Sequence, residues 1–330
     1  MPRIVRFNKL GGPEVLKSEN ETSKQPGKGE VRLQVQAVGL NRAELMFIRG
    51  HYLEQAKFPA GLGYEAAGVV EAVGPDVDKS WVGKRVATIP AFSMNDYAML
   101  GEEVIAPVAA LGEYPAKLSP ADGAAIWMQY LTAYGALIAI AHLAEGDFVV
   151  IPAASSSVGI AATQIAKAEG AISIATTRKS NKKAELLSLG ADHVIATEEE
   201  DIVARVQQIT GGKGARVIFD PVAGPFLEKL AATAATGGIV FEYGALSMQP
   251  TPFPLMTALG KGLSIRGYTL MEVTRDPQKL AAAKKYVYDR LADGRFHPKI
   301  AKVFPFAQTV EAYKYLESNA QVGKVVITVP

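Results

Sequence analysis

The segment Phe148–Gly170 constrains the fold of this chain most strongly, because it joins an apolar run, a turn of small residues and a helical stripe. The β-branched run Phe148–Ile151 is typical of a buried parallel strand. The turn Ala153–Gly159 contains only alanine, serine and glycine apart from one valine. Small residues let the backbone approach a phosphate closely, and the first N–H groups of the following helix point toward it. The segment therefore predicts a pyrophosphate site.

The turn departs from the glycine-rich version of this pattern. Of the three usual glycines only the third, Gly159, is present, while Ala154 and Ser156 occupy the other two positions. Taken alone, the pattern also fits a strand–helix corner with serine caps. Serine hydroxyls can add hydrogen bonds to a phosphate. The candidate phosphate-binding residues are Ser155, Ser156, Ser157, Val158 and Gly159.

Further strands and helices alternate after this turn. The predicted strands are Ala171–Thr176, His193–Ile195, Arg216–Asp220, Gly238–Glu242 and Leu263–Gly267. The predicted helices between them are Asn181–Leu189, Asp201–Thr210 and Phe226–Ala234. This alternation predicts an α/β fold with a doubly wound parallel sheet. A sheet of six strands matches the dinucleotide-binding fold, which favours the phosphate-binding interpretation of the turn.

The end of the second predicted strand indicates which dinucleotide would bind. Folds that bind NAD place an acidic residue about 20 residues past the turn, where it holds the ribose 2′-OH. The segment Thr176–Lys183 has no carboxylate and four cations. Guanidinium and ammonium groups pair with a phosphate dianion, so Thr177 and Arg178 predict NADP(H). The alternative is a solvated basic helix start, but cations there oppose the helix dipole.

Composition sets the remaining bounds. A chain of 330 residues is long enough for two domains. With 35 basic and 33 acidic residues the net charge is +2, which gives no general attraction to nucleic acid or membranes. No apolar run reaches about 18 residues, so no transmembrane helix is expected, and the N-terminus leads into a strand rather than a signal peptide. Cysteine is absent, which excludes disulfides and cysteine–zinc sites and suits a cytoplasmic location.

The residues before about position 120 have a different pattern, in which glycine and proline turns separate short strands. The predicted strands are Ile4–Phe7, Glu30–Val38, Ala66–Val73, Arg85–Ile89 and Tyr97–Leu100, with a helix near Arg42–Arg49. This pattern predicts a small barrel or sandwich. An apolar helix through Ala124–Ala141 then leads into the dinucleotide domain. The C-terminal strands Lys302–Phe306 and Val325–Val329, with a helix at Thr309–Ser318, are expected to rejoin the first domain.

Seven short motifs occur in one order along nearly the whole chain. They are Gly39–Glu44, Arg49–Tyr52, Gly61–Val70, the Ala153–Gly159 turn, Leu189–Ile195, Phe219–Gly224 and Gly323–Val326. Together they resemble the zinc-free quinone oxidoreductase branch, of the zeta-crystallin type, in the medium-chain dehydrogenase/reductase superfamily. The specific part of the resemblance is the Gly61–Gly68 block together with the ordered series.

The resemblance implies a GroES-like β-barrel domain formed by residues 1–123 and 298–330, and a Rossmann domain formed by residues 124–297. It implies NADPH in a cleft, reduction of quinones or activated carbon–carbon double bonds, and assembly as a homodimer or homotetramer. No nucleic-acid or membrane partner is implied. The zinc-dependent members need Cys, His and Glu ligands, and Tyr64 stands where their histidine would be. The resemblance therefore implies no metal.

Matching the motifs position by position assigns candidate roles to individual residues. Asn41 is expected beside the nicotinamide ribose and the substrate. Tyr52 matches a cleft tyrosine, which in related enoyl reductases is the proposed proton donor, and Tyr64 is a second phenol that could serve there. The remaining candidate cofactor-binding residues are Thr132, Lys182, Tyr243, Gly244 and Ala245. Thr197 replaces a tyrosine that some members use near the adenosine phosphate, which gives Arg178 more of that contact.

Several alternatives remain open from the sequence. Tyr64 could simply pack in the core, and solvent could supply the proton instead of a phenol. Glu65 is expected to be structural and paired with a cation such as Arg49 or Arg85. Quinones, enones and enoyl thioesters compete as substrates. A different class of function is a nucleotide-binding protein with a crystallin-type structural or RNA-binding role and little turnover.

Overall fold

Sixteen strands and eleven α-helices make up the chain, and the computed structural model describes all residues, 1–330. The strands are β1 (Arg3–Phe7), β2 (Lys17–Asn20), β3 (Glu30–Gly39), β4 (Ala60–Gly61), β5 (Glu65–Val73), β6 (Arg85–Thr88), β7 (Glu103–Pro107), β8 (Leu111–Glu113), β9 (Phe148–Ile151), β10 (Ile172–Thr177), β11 (His193–Ala196), β12 (Ala215–Asp220), β13 (Ala234–Glu242), β14 (Ser264–Gly267), β15 (Ile300–Pro305) and β16 (Lys324–Thr328). The helices are α1 (Arg42–Ile48), α2 (Pro120–Gly123), α3 (Trp127–Tyr134), α4 (Ser157–Ala168), α5 (Lys183–Ser188), α6 (Ile202–Ile209), α7 (Phe226–Thr233), α8 (Leu255–Lys261), α9 (Met271–Thr274), α10 (Pro277–Ala292) and α11 (Thr309–Glu317).

The chain divides into two units. The parallel-sheet unit comprises Gln129–Lys279 and Asp293–Phe296. The β-rich unit comprises Met1–Met128, Leu280–Ala292 and His297–Pro330.

The parallel-sheet unit contains one six-stranded sheet in the order β11-β10-β9-β12-β13-β14. All of its strand pairs are parallel, so the predicted doubly wound α/β fold is confirmed. The strand order reverses between β9 and β12, and ligands of such sheets bind at the carboxyl ends of the strands beside this reversal. The apolar side chains of Val150 and Ile218 meet in the core with those of the flanking helices. Burial on both faces explains why these strands are apolar runs rather than alternating patterns.

The β-rich unit contains two sheets. One has three strands in the order β2-β1-β4, and the other has seven strands in the order β15-β16-β3-β5-β6-β8, with β7 also paired to β3. Strand β16 pairs antiparallel with β3 through Val326 and Gly39. The C-terminal strands therefore return to the N-terminal part of the chain, as the sequence predicts.

The prediction of a strand at Tyr97–Leu100 is wrong. This segment bonds to two different partners instead of forming one ladder: the amides of Met99 and Leu100 donate to the carbonyls of Gly63 and Leu62, and the Leu100 carbonyl accepts from Val5. Strands β2, β4, β7 and β8 were not predicted from the sequence. They are short, and β2 (Lys-Ser-Glu-Asn) has no apolar alternation to reveal it.

By length and composition alone, the apolar helical stretch Pro120–Ile140 could cross a membrane. However, 72% of its most apolar part is buried inside the protein, as in a core helix. The sequence predicts an apolar helix through most of this stretch, at Ala124–Ala141. Its last part, Gly135–Ile140, is a π-helix. A Cβ on Gly135 would lie 2.0 Å from the Tyr268 hydroxyl, so this close packing requires glycine.

Candidate functional site

The turn between β9 and α4 has the geometry of a phosphate-binding loop. Ala153 adopts a positive φ of 48°, which few residues with a side chain adopt. A Cβ on Gly159 would lie 2.6 Å from the Ala154 Cα and 2.8 Å from the Ala154 carbonyl oxygen. The helix start therefore approaches the turn so closely that only glycine fits. This is the role of the third glycine of the dinucleotide pattern, which explains why that glycine alone is retained.

Ser156 caps helix α4. Its Oγ accepts a hydrogen bond from the Gly159 amide at 3.0 Å, which orients the first helical turn. The amides of the first turn, including those of Ser157 and Val158, have no partner within the helix itself. Together with the helix dipole they favour an anion at this end.

Two cationic side chains flank the turn at the end of β10. Lys182 donates from Nζ to Ser155 Oγ at 3.3 Å, so it is joined to the phosphate-binding turn. Burial lowers the pKa of Lys182, and the neighbouring charge of Arg178 lowers it further. Arg178 and Lys179 are exposed to solvent. An anion bound here would relieve this repulsion between cations, so the donor set fits a phosphate monoester.

Thr197, which follows β11, bonds to the backbone of Thr177 at the end of β10. The Thr197 amide donates to the Thr177 carbonyl at 2.8 Å, and the Thr197 hydroxyl contacts the same oxygen at 3.3 Å. The Thr197 hydroxyl is therefore engaged with the backbone. The exposed Arg178 guanidinium forms no hydrogen bond or ion pair within the chain, so it is free to take the larger role expected from the sequence.

The loops after β12 and β13 carry the second set of candidate cofactor residues. The amide of Tyr243 donates to the Asp220 carbonyl at 2.9 Å, and the Tyr243 ring stacks on Phe219 with 3.9 Å between centroids. A Cβ on Gly244 would lie 2.8 Å from the Pro221 carbonyl oxygen, so glycine is required there. Gly244 and Ala245 are exposed, whereas Thr132 is buried on α3.

The β-rich unit places the two candidate phenols together. The Tyr64 hydroxyl lies 3.4 Å from the Tyr52 hydroxyl and 3.4 Å from Glu54 Oε1. Glu54 also accepts from the amide of Met94 at 3.0 Å and from the side chains of Ser93 and Asn95. Tyr64 is 1% exposed, while Tyr52 is half-buried. When Tyr64 donates to the Tyr52 oxygen, the proton of Tyr52 points to a third partner.

Burial raises the pKa of both phenols, and the charge of Glu54 raises each of them further. Both hydroxyls therefore stay protonated at neutral pH. This arrangement suits hydrogen-bond donation to a developing anion. Of the two, Tyr52 is the more accessible donor.

Asn41 lies in a buried network that includes charged side chains. Its amide nitrogen donates to the Gly39 carbonyl at 3.1 Å and contacts Glu44 and Glu65, and its oxygen accepts from Lys324 Nζ at 2.7 Å. Burial raises the pKa of Glu44. Glu44 also accepts from the Tyr64 amide at 3.2 Å, so this network and the phenol pair share one support.

The predicted cation partner of Glu65 is wrong. Glu65 pairs with Lys324, and both side chains are 1% exposed. Arg49 instead pairs with Glu317, and Arg85 donates to the carbonyls of Ala116 and Leu118. The physical reason is position: β16 lies beside β3 in the sheet, which brings Lys324 to Asn41 and Glu65.

The supporting roles of Glu54, Glu44 and Lys324 were not predicted from the sequence. Glu54 stands only two residues after Tyr52, but its donors come from the distant segment Ser93–Asn95. Glu44 could have been found as the third helical residue after Asn41, the spacing of a capping box. No group of three or more His, Cys, Asp or Glu side chains is arranged to hold a metal ion.

Two family models match the chain. The one described as "Alcohol dehydrogenase GroES-like domain" matches residues 27–133, and the one described as "Zinc-binding dehydrogenase" matches residues 157–289.

Comparison with individual proteins gives matches over the full length. Quinone oxidoreductase 1 of Escherichia coli is 31% identical over 326 residues, which cover 98% of each chain. A 2-haloacrylate reductase of Burkholderia sp is 29% identical over 327 residues, or 97% of each chain. The solved structure of Escherichia coli quinone oxidoreductase complexed with NADPH superposes with a TM-score of 0.90 at 29% identity and covers 99% of both chains.

Proposed function

The chain belongs to the quinone oxidoreductase branch of the medium-chain dehydrogenase/reductase superfamily, and from this premise we propose that it is an NADPH-dependent, zinc-independent reductase of quinones or activated carbon–carbon double bonds. Two of its relatives, a quinone oxidoreductase and a 2-haloacrylate reductase, act on these two substrate classes by name. The expectation of a GroES-like domain is supported by the family match.

The observation that carries the proposal is the contact between Lys182 and Ser155 at the end of the phosphate-binding turn. It joins a cation for a 2′-phosphate to a turn for a pyrophosphate, with Arg178 exposed beside it. Since no acidic residue occupies the end of β10, the residues present fit NADPH better than NADH.

When bound, NADPH would supply the hydride, and the protein would supply binding, orientation and hydrogen bonds. The residues Ser155–Gly159 would hold the pyrophosphate through backbone amides and serine hydroxyls. Thr177, Arg178 and Lys182 would hold the 2′-phosphate. Tyr243, Gly244, Ala245 and Thr132 would lie along the rest of the cofactor. These roles are proposed from the match of the motifs to the family and from the contact between Lys182 and Ser155.

Tyr52 would donate a hydrogen bond or proton to the oxygen or carbanion that develops on the substrate. The Tyr64 hydroxyl, held near Glu54, would orient the Tyr52 phenol. Asn41 would act as a positioning residue fixed by Lys324. Because the raised phenol pKa values keep both protons in place at neutral pH, solvent remains the competing proton source.

The proposed domains are residues 1–123 with 298–330 for substrate positioning, and residues 124–297 for NADPH binding. A cytoplasmic location remains a prediction from the cysteine-free sequence. We also propose a homodimer that forms through the β14 edge of the parallel sheet.

The dimer proposal is supported by exposed apolar residues in the parallel-sheet unit. Strand β14 ends the sheet with an unpaired edge. Met256 is 77% and Leu259 is 68% exposed on α8, and Met248 and Phe253 precede this helix with their side chains exposed. Such a cluster marks an association surface. Light scattering should give twice the chain mass, and Met256→Glu with Leu259→Glu should give the monomer; a monomeric wild type would contradict the proposal.

One experiment tests the proposed function. NADPH oxidation is followed with a quinone, an enone and an enoyl thioester in parallel, and NADH replaces NADPH as the control. We expect substrate-dependent oxidation of NADPH with at least one class. Absence of oxidation with all three, combined with salt-dependent RNA binding, would favour the structural or RNA-binding alternative instead.

A further inference from the structure

Two carboxyl groups lie side by side at the carboxyl end of the parallel sheet, outside the phosphate-binding turn. Asp220 ends β12, Glu242 ends β13, and the two residues are register partners. Neighbouring strands are about 4.8 Å apart, and register partners project to the same face of a sheet. Asp220 is 0% exposed, and both side-chain oxygens of Glu242 are buried.

Hydrogen bonding distinguishes the two carboxyls. Asp220 accepts from the amide of Val222 at 2.8 Å and from that of Ala223 at 2.9 Å, one on each oxygen. Neither oxygen of Glu242 has such a donor. Amide donors favour the charged form of a carboxyl group. Ionising both of two adjacent buried carboxyls has an unfavourable free energy, because their charges repel each other away from water. Asp220 therefore holds the negative charge, and Glu242 holds a proton that it can donate to Asp220.

No cation compensates the pair. On β14, Arg266 directs its guanidinium to Glu272 at 2.6 Å. The hydroxyl of Tyr243 is buried without a hydrogen-bond partner, and burial and the charge of Asp220 raise its pKa, so it stays neutral. Burial, followed by the charge of Asp220, raises the pKa of Glu242 to about 8.

The pair lies at the base of the two loops that carry candidate cofactor residues. The amide of Leu246 donates to the Pro221 carbonyl at 2.9 Å, and that of Ser247 donates to the Val222 carbonyl at 2.8 Å. These bonds join the loop after β13 to the loop after β12. In a doubly wound sheet the strands beyond the reversal form the second mononucleotide half of the site, which takes the nicotinamide end.

We propose that Asp220 and Glu242 share one proton and that this shared proton positions the joined loops for the nicotinamide half of the cofactor. Loss of the proton places two negative charges side by side, which drives the carboxyls apart and disturbs the loops. Glu242 is then a positioning residue, and loss of its proton in alkaline solution weakens cofactor binding. The effect on the cofactor rests on the proposed function, whereas the shared proton does not.

The first test is calorimetric titration with NADPH between pH 7 and 9, in wild type and Glu242→Gln. The glutamine keeps a hydrogen-bond donor but cannot lose a proton. Adenosine 2′,5′-bisphosphate serves as the second ligand, because it contacts only the first half of the site and reports the titration of Lys182. The pH dependence measured with this second ligand is subtracted from that measured with NADPH. The remaining wild-type affinity for NADPH should fall about tenfold from pH 7 to pH 9, the limit for one proton titrating near pH 8. Glu242→Gln should change less than about threefold. The same pH course in both proteins would overturn the proposal.

The second test needs no cofactor. An acid whose pKa is raised on folding stabilises the folded state at low pH, and this contribution is lost as pH rises toward the folded pKa. The melting temperature of Glu242→Gln minus that of wild type should therefore increase from pH 5 to about pH 8 and then stay constant. A difference independent of pH would overturn the shared proton. If Glu242→Gln does not fold, Asp220→Asn removes the charge and keeps an acceptor for one of the two amides. If the melting difference appears but NADPH does not bind, the proposed function fails and the shared proton stands.

Discussion

Replacement of Lys182 by methionine tests the NADPH site most selectively. Lys182 is half-buried, and its Nζ lies 3.3 Å from Ser155 Oγ. Its ammonium group has therefore lost part of its hydration before the cofactor binds. A hydrogen bond to a charged group contributes about 1.5–3 kcal/mol net. At about 1.4 kcal/mol per tenfold change, Lys182→Met should weaken NADPH binding roughly 10- to 150-fold. NADH, which lacks the 2′-phosphate, should bind almost unchanged.

The matched control is Lys183→Met. Lys183 is the next residue but forms an ion pair with Glu200 at 2.6 Å, so its loss should leave the NADPH affinity near that of wild type. Calorimetry with NADPH and NADH on the three proteins gives the comparison. Because burial lowers the pKa of Lys182, wild-type NADPH affinity should also decline in alkaline solution more than that of Lys182→Met. Equal losses for NADPH and NADH in Lys182→Met would refute the reasoning.

Two substitutions and one chelation experiment test the rest of the site and the network that supports it. Tyr52→Phe should lower kcat roughly 10²–10⁴-fold if its phenol is the general acid, with NADPH affinity nearly unchanged; near-normal kcat on both a quinone and an enone would leave solvent as the proton source, and Tyr64→Phe is the control. Dialysis against a strong chelator should leave activity intact and elemental analysis should find no stoichiometric zinc, whereas recovery of lost activity by added zinc would contradict metal independence. Lys324→Met should destabilise the protein by about 3–5 kcal/mol, because it leaves the Glu65 carboxylate buried without a cation. Urea unfolding measures this loss, with Lys285→Met at an exposed position as the control. A loss below about 1 kcal/mol would show that the network does not depend on the ion pair.

The parallel sheet was predictable because its strands are local apolar runs. Strands covered on both faces bury their apolar side chains whichever strand lies beside them, as Val150, Ile174 and Ile218 are buried here. Such strands can therefore be recognised in the sequence without knowing how they pair. The phosphate-binding turn was predictable for the same reason, since Gly159 and Ser156 act on backbone within a few residues.

The supporting contacts of the site could not be predicted in this way. Lys324 reaches Glu65 across 259 positions of sequence, and nothing in either residue's local pattern names the other. The donors to Glu54 lie in another segment, and the Asp220–Glu242 pair depends on the register between β12 and β13. Such pairings are set by tertiary packing, and local pattern does not encode them.

The most direct test of the central claim is hydride transfer from an equimolar mixture of NADPH deuterated at C4 and unlabelled NADH to an enone substrate. Mass spectrometry of the product measures the fraction that carries deuterium, and a second run with the label on NADH corrects for the isotope effect. We expect at least about tenfold more transfer from NADPH than from NADH, which corresponds to about 1.4 kcal/mol. Equal transfer from the two cofactors, or a reduced product without deuterium in either run, would contradict it.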